Sequence, residues 1–167
     1  MMAADKQLFI MAGFDPETER RLNDLEAALE RCGQPGRQTK DVPHHISLGM
    51  YPPAMEASVK ATVIQAASET APFSVSFQHL GIFGGGRVLF AAPCVNRALL
   101  NLKERFGPGD AWTAHATLLI DEPERIIPLL GPAIEMFEEF EGRVERLFLH
   151  EFFPTRLILD LPLSGSD

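Results

Sequence analysis

Two short stretches carry residues that could do chemistry: "HISL" at 45–48 and "HATL" at 115–118. Each sets an imidazole two residues before a hydroxyl, inside an otherwise apolar run. Successive residues of a β-strand point to opposite faces. If both stretches are strands, His45 and Ser47 share one face, with His44, Ile46 and Leu48 on the other. His115 and Thr117 share a face in the same way, backed by Ala114, Ala116 and Leu118. Imidazoles titrate near neutrality, so a pair of them can move protons in both directions. One would act as general base on water or a hydroxyl. The other would act as general acid on the leaving oxygen, across the phosphorus atom. The two hydroxyls would donate to the non-bridging oxygens as charge develops. The fitting chemistry is phosphodiester hydrolysis without a metal, with a bell-shaped pH profile whose limbs both lie near neutrality.

The other candidates have plainer readings. Alternation turns His44 away from the site, and His79 and His150 have no Ser or Thr two residues on. All three read as structural. No His pair has the i, i+4 spacing of a familiar zinc site, and no carboxylate-rich motif accompanies them, so no metal or cofactor is implied. "FGGGR" at 83–87 lacks the Lys-Ser/Thr ending of a phosphate loop and reads as a hairpin turn. Arg87 and Arg156 read as solvated hairpin charges. Tyr51 and Trp112 flank the motifs and are candidate substrate-binding residues, since aromatic faces stack bases. Core packing is an equal reading for both.

The elements that must hold these residues follow from pattern. "QLFIMAGF" (7–14) is a strand. Asp15 and Pro16 then open a helix as N-cap and first residue, with Leu22, Leu25, Leu29 and Cys32 as its apolar stripe and Gly33 as its stop. A polar loop (34–42) leads to the strand "HISLGMY". A helix over about 54–70 turns Val59, Val63 and Ala66 inward. Strands over 73–83 and 87–93 flank the glycine turn. The order then restarts: a helix over 95–107 with Leu99, Leu102 and Phe106 on one face, the strand "AHATLLI", a helical stretch over 123–138 interrupted by Pro128 and Pro132, and a final hairpin.

The chain thus repeats one order: strand, helix, His-bearing strand, helix, hairpin. His45 and His115 are 70 apart, and "FGGGRVLF" aligns with "FFPTRLIL" at a spacing of 69, which sets Arg87 against Arg156. The expected fold is α+β: a single bilobal domain with pseudo-twofold symmetry, its repeats spanning about 7–93 and 87–163. Two antiparallel sheets, flanked by helices, would enclose a central cleft. The 167 residues suit one such domain.

The net charge of −8 argues against an extended nucleic-acid surface, which needs basic residues. Cys32 and Cys94 have no CxxC spacing and read as free thiols of a cytoplasmic protein. The apolar run at 8–14 is too short to cross a bilayer and has no basic leader, so neither a membrane partner nor a signal sequence is expected.

At "HISL" and "HATL" the sequence resembles the 2H phosphoesterase superfamily, the family of bacterial 2′-5′ RNA ligase and RNA 2′,3′-cyclic phosphodiesterases. The family pattern is His, any residue, Ser/Thr, apolar, occurring twice. Element order and the internal repeat extend the resemblance over nearly the whole chain. It implies a bilobal fold, metal-independent opening of a cyclic phosphate, and catalytic roles for His45, Ser47, His115 and Thr117. The implied partner is a small nucleotide-like cyclic phosphate or an RNA end. The acidic balance and the residues after the motifs, Gly49-Met50-Tyr51 and Leu119-Ile120-Asp121, favour a mononucleotide-sized substrate over an RNA strand or ligation. The competing reading is a catalytically silent module of the same fold that binds a nucleotide or a protein.

Overall fold

A computed structural model describes residues 5–33 and 41–166. Most of the expected polar loop at 34–42 lies outside the described residues.

Strand β1 (Gln7–Phe14) runs into helix α1 (Pro16–Cys32). The Asp15 carboxylate accepts the Thr18 N–H at 3.0 Å, satisfying one of the helix's orphan donors. Such a cap is worth about 1 kcal/mol. Leu22 and Leu29 are fully buried, and truncating either to Ala would cost about 2–5 kcal/mol. Cys32, expected on that stripe, is exposed.

Strand β2 (His45–Tyr51) leads through a short 3₁₀ turn to α2 (Glu56–Glu69), which buries Val59, Val63 and Ala66. Strands β3 (Phe73–Ile82) and β4 (Val88–Pro93) form the expected hairpin. Its turn needs positive φ at Gly85 and Gly86 (88° and 70°), a region that favours glycine. Helix α3 (Arg97–Glu104) is capped by Asn96 and is shorter than its apolar pattern suggests. Phe106, just beyond its end, is still buried. Strand β5 (Ala116–Ile120) follows. The proline-bearing stretch divides into α4 (Pro123–Ile126), a 3₁₀ turn around Pro128, and α5 (Leu130–Met136). Pro132 is tolerated in the first turn of α5, where its missing N–H has no helical partner to lose. Strands β6 (Phe140–Phe152) and β7 (Arg156–Pro162) close the chain as a hairpin.

The strands join in the order β1-β2-β5-β4-β3-β6-β7, with β6 also pairing β1. Every pairing is antiparallel. The sheets of the two lobes are therefore continuous. The long β6 bridges them on one side, pairing β3 near its start and β1 along the rest. On the other side β2 meets β5 through Ile46 and Ala116. Exchanging β1 with β4, β2 with β5 and β3 with β6 maps these pairings onto themselves, leaving β7 as the addition.

The central strands are divided between two environments. Leu8, Ile10 and Ala12 of β1, Ile46 and Leu48 of β2, Ala116 and Leu118 of β5, and Leu147 and Leu149 of β6 join the main core beneath the helices. Met11, Phe90, Ala92 and Phe148 are also buried but stand apart from that core. They form an apolar floor on the opposite face, and the motif residues rise from that face.

Candidate active site

The burial pattern of β2 alternates as the sequence predicts. His45 and Ser47 are half-buried, while Ile46 and Leu48 are fully buried. On and just before β5, His115 and Thr117 are half-buried, while Ala114, Ala116 and Leu118 are buried. His45, Ser47 and Thr117 line one cavity of about 500 Å³, together with Phe9, Met11 and Phe152. His115 belongs to the same face through the pairing of Ile46 with Ala116.

The two histidines are held alike. His45 Nδ1 lies 2.8 Å from the Pro43 carbonyl oxygen, and His115 Nδ1 lies 2.8 Å from that of Thr113. A carbonyl only accepts, so each Nδ1 carries the proton. Each Nε2 is then left to take or give the proton that chemistry needs. Among the described residues neither the Ser47 nor the Thr117 hydroxyl has a hydrogen-bond partner in the protein.

Aromatic rings brace the His115 imidazole. Phe83 meets His115 edge-on at 4.8 Å between centroids, and Phe90 packs against it at 5.5 Å. On the other lobe, Gly13 stands opposite His45 across β1 and β2. A Cβ at Gly13 would overlap the Phe148 ring, so the missing side chain is what lets that ring lie across β1 at the position facing His45's strand.

Burial is the main influence on His45 and holds its pKa down at about 4. The bond to Pro43 opposes this, and the charges of His44, His150 and His115 reinforce it. His45 is therefore a neutral acceptor across the neutral range. His44 behaves oppositely. Burial disfavours its charge, but Glu19 and Glu26 outweigh that and raise its pKa to about 9. Its Nδ1 lies 3.2 Å from Glu19 Oε1 and its Nε2 lies 2.7 Å from Glu26 Oε2, although the latter contact is poorly aligned as a hydrogen bond. His44 is thus a buried cation tying β2 to α1.

His150 is buried on the site's face of β6, with no hydrogen-bond partner for either ring nitrogen and with Phe152 stacked on it at 5.8 Å. Burial lowers its pKa. His79 is exposed on β3.

Tyr51 and Trp112 are engaged in the scaffold. The Tyr51 hydroxyl donates to the Phe106 carbonyl at 2.7 Å, and the Trp112 indole N–H donates to the Ser47 carbonyl at 3.1 Å. Trp112 thereby stitches β2 to the approach of β5 where the ladder itself is short. Arg87 and Arg156, expected as solvated charges, are exposed but paired. Arg87 meets Glu122, and Arg156 meets Glu56 and Glu151. Sequence reasoning missed the cavity's aromatic wall, Phe9, Phe152 and Phe153. The doublet "FFP" in a hairpin turn was its signal.

Among the described residues no cluster of three His, Cys, Asp or Glu side chains could hold a metal ion. No described helix is long and apolar enough to cross a membrane.

No protein-family model and no curated protein sequence matches the chain. Solved structures do. The chain is similar to TT0787 of Thermus thermophilus, with a TM-score of 0.64 at 19% identity over 96% of this chain and 100% of that one. It is similar to E. coli LigT complexed with ATP, with a TM-score of 0.65 at 16% identity over 97% and 100%. A structure described as a phosphoesterase superposes with a TM-score of 0.65 at 16% identity over 96% and 99%.

This is the 2H phosphoesterase fold. In it the pseudo-twofold strand exchange brings the two His-x-Ser/Thr segments to one face, and the helices lie behind the sheet away from them. The 2H phosphoesterase fold thus accounts for the lobes, the shared β6 and the short β2–β5 seam.

Proposed function

We propose that this protein is a member of the 2H phosphoesterase superfamily. As a single bilobal domain, it would open a 2′,3′-cyclic phosphate or a related nucleotide phosphodiester without a metal. The observation that carries this reading is the matched anchoring of the two imidazoles. Each is tied through Nδ1 to the carbonyl two residues upstream, so both Nε2 atoms are released to the same face.

The neutral His45 is the general base. It takes a proton from the attacking water as that oxygen bonds to phosphorus. His115 is the general acid and delivers a proton to the departing ribose oxygen as its P–O bond breaks. Ser47 and Thr117 donate to the non-bridging oxygens, whose negative charge grows in the transition state. Each proton-transfer group contributes about 10²- to 10⁴-fold.

Substrate size follows from charge. Among the described residues the cavity is lined by no Lys or Arg, and the whole chain carries −8. A long nucleic-acid strand needs cations along its track. A mononucleotide-sized cyclic phosphate needs only the local donors. Solved complexes of E. coli LigT, similar in fold, hold ATP and 3′-AMP, which supports a small nucleotide ligand here.

The test is turnover of 2′,3′-cyclic nucleotides and short 2′-5′ oligonucleotides in the presence of EDTA. The expected result is hydrolysis of the cyclic mononucleotides that survives chelation. Activity lost to EDTA and restored by a divalent ion, or no turnover of any phosphodiester, would overturn the reading.

A further inference from the structure

We propose that Phe152 and Phe153, with Phe9 behind them, are the specificity subsite of this protein. They would take the flat heteroaromatic base of a nucleotide by stacking. The inference deepens the phosphoesterase reading, which supplies only the phosphate end of the ligand.

Phe152 and Phe153 line the same cavity as His45, Ser47 and Thr117. Their rings are 5.3 Å apart and steeply inclined, and Phe152 meets Phe9 edge-on at 5.3 Å. The inner face of Phe152 is covered by His150. Phe153 is different: it is 60% exposed while lining the same cavity, so one ring face is open to a ligand.

The turn that bears Phe153 is tied down. Glu151 is buried just before it and receives both Arg156 at 3.3 Å and Lys6 at 3.5 Å. Arg156 also reaches Glu56 at the start of α2, at 2.7 Å. The exposed ring is therefore presented from a braced hairpin end. A presented ring loses little conformational freedom when a ligand stacks on it.

Tyr51 and Trp112, the aromatics nearest the motifs in sequence, have their polar atoms committed to Phe106 and Ser47 and are absent from the cavity lining. The Phe wall reads no base edge, because phenylalanine has no donor or acceptor. It would accept any base and favour a purine, which offers more face.

The test is calorimetric binding of adenosine 2′-monophosphate, cytidine 2′-monophosphate and inorganic phosphate to the wild-type protein and to Phe153→Ala and Phe152→Leu. Thermal melts would verify that each variant is folded. The wild type should bind the purine monophosphate more tightly than the pyrimidine one, and both more tightly than phosphate. Phe153→Ala should weaken adenosine 2′-monophosphate at least about tenfold and leave phosphate unchanged, with Phe152→Leu showing a smaller loss. The proposal is overturned if both folded variants bind adenosine 2′-monophosphate as the wild type does, or if the wild type binds it no better than phosphate. Turnover separates the two readings. Base-dependent binding in a protein that hydrolyses no cyclic phosphate supports the subsite and sinks the phosphoesterase. Hydrolysis with base-indifferent variants does the reverse.

Discussion

Ile46 stands directly opposite Ala116 where the two motif-bearing strands meet. Continued one residue in each direction, that antiparallel register sets His45 across from Thr117 and Ser47 across from His115. In such a ladder each imidazole would have the other lobe's hydroxyl as its cross-strand neighbour, with Cβ atoms about 5 Å apart and the two histidines diagonal at roughly 7–8 Å. On the proposed reading, a phosphate placed over this square would have a proton carrier at two opposite corners and a donor at the other two.

The first prediction concerns the corners. His45→Ala and His115→Ala should each lower kcat by at least about 10²-fold. The double variant should lose less than the product of the two, because the pair acts as a unit. Ser47→Ala and Thr117→Ala should each cost less than the matching histidine variant, since the proton route survives and only one donor to the phosphate is lost. Steady-state kinetics on a cyclic mononucleotide reads all five.

The pH–rate profile should be displaced from the neutral bell expected of two ordinary histidines. Burial keeps His45 neutral down to about pH 4, so the acid limb of kcat/KM should fall near pH 4. An acid limb near 6.5 in the wild type would contradict the assignment of His45 as base.

Adjacent histidines should pull stability in opposite directions. The folded pKa of His44 is raised to about 9, so its contribution is full below about 6.5 and disappears as pH climbs through 9. The folded pKa of His45 is depressed, so it costs nothing above about 6.5 and costs stability as pH falls toward 4. Denaturant unfolding of His44→Gln should show a loss of about 1–3 kcal/mol at pH 6 that shrinks toward pH 9. Its kcat should fall less than that of the motif variants, because His44, although it also borders the cavity, is committed to Glu19 and Glu26 of α1.

Gly13→Ala should damage the site from outside it. The added methyl collides with the Phe148 ring at the residue paired directly with His45. Overpacking of this kind costs about 1–3 kcal/mol. Melting should report that loss, and kcat should fall while KM changes less, because a proton-transfer group is misplaced. A melt and kcat equal to the wild type would show that Phe148 can yield.

The sequence by itself determined the strands, the face each motif residue takes and the repeat that relates the two motifs. Period-2 alternation is a local property, and a spacing of 70 between His45 and His115 survives any packing. It also determined the Asp15 cap, the glycine turn and the proline break, since each follows from the chemistry of one residue. Only the tertiary structure decided that the two sheets are continuous, because the β2–β5 pairing and the shared β6 join segments far apart in the chain. It alone separated His44 from His45. Both are imidazoles in one tripeptide, yet one is charged by the carboxylates of α1 and the other is kept neutral by burial. It also moved the aromatic wall from Tyr51 and Trp112 to Phe152 and Phe153. Which ring lines a cavity depends on what the neighbouring strands leave uncovered, and no single segment carries that information.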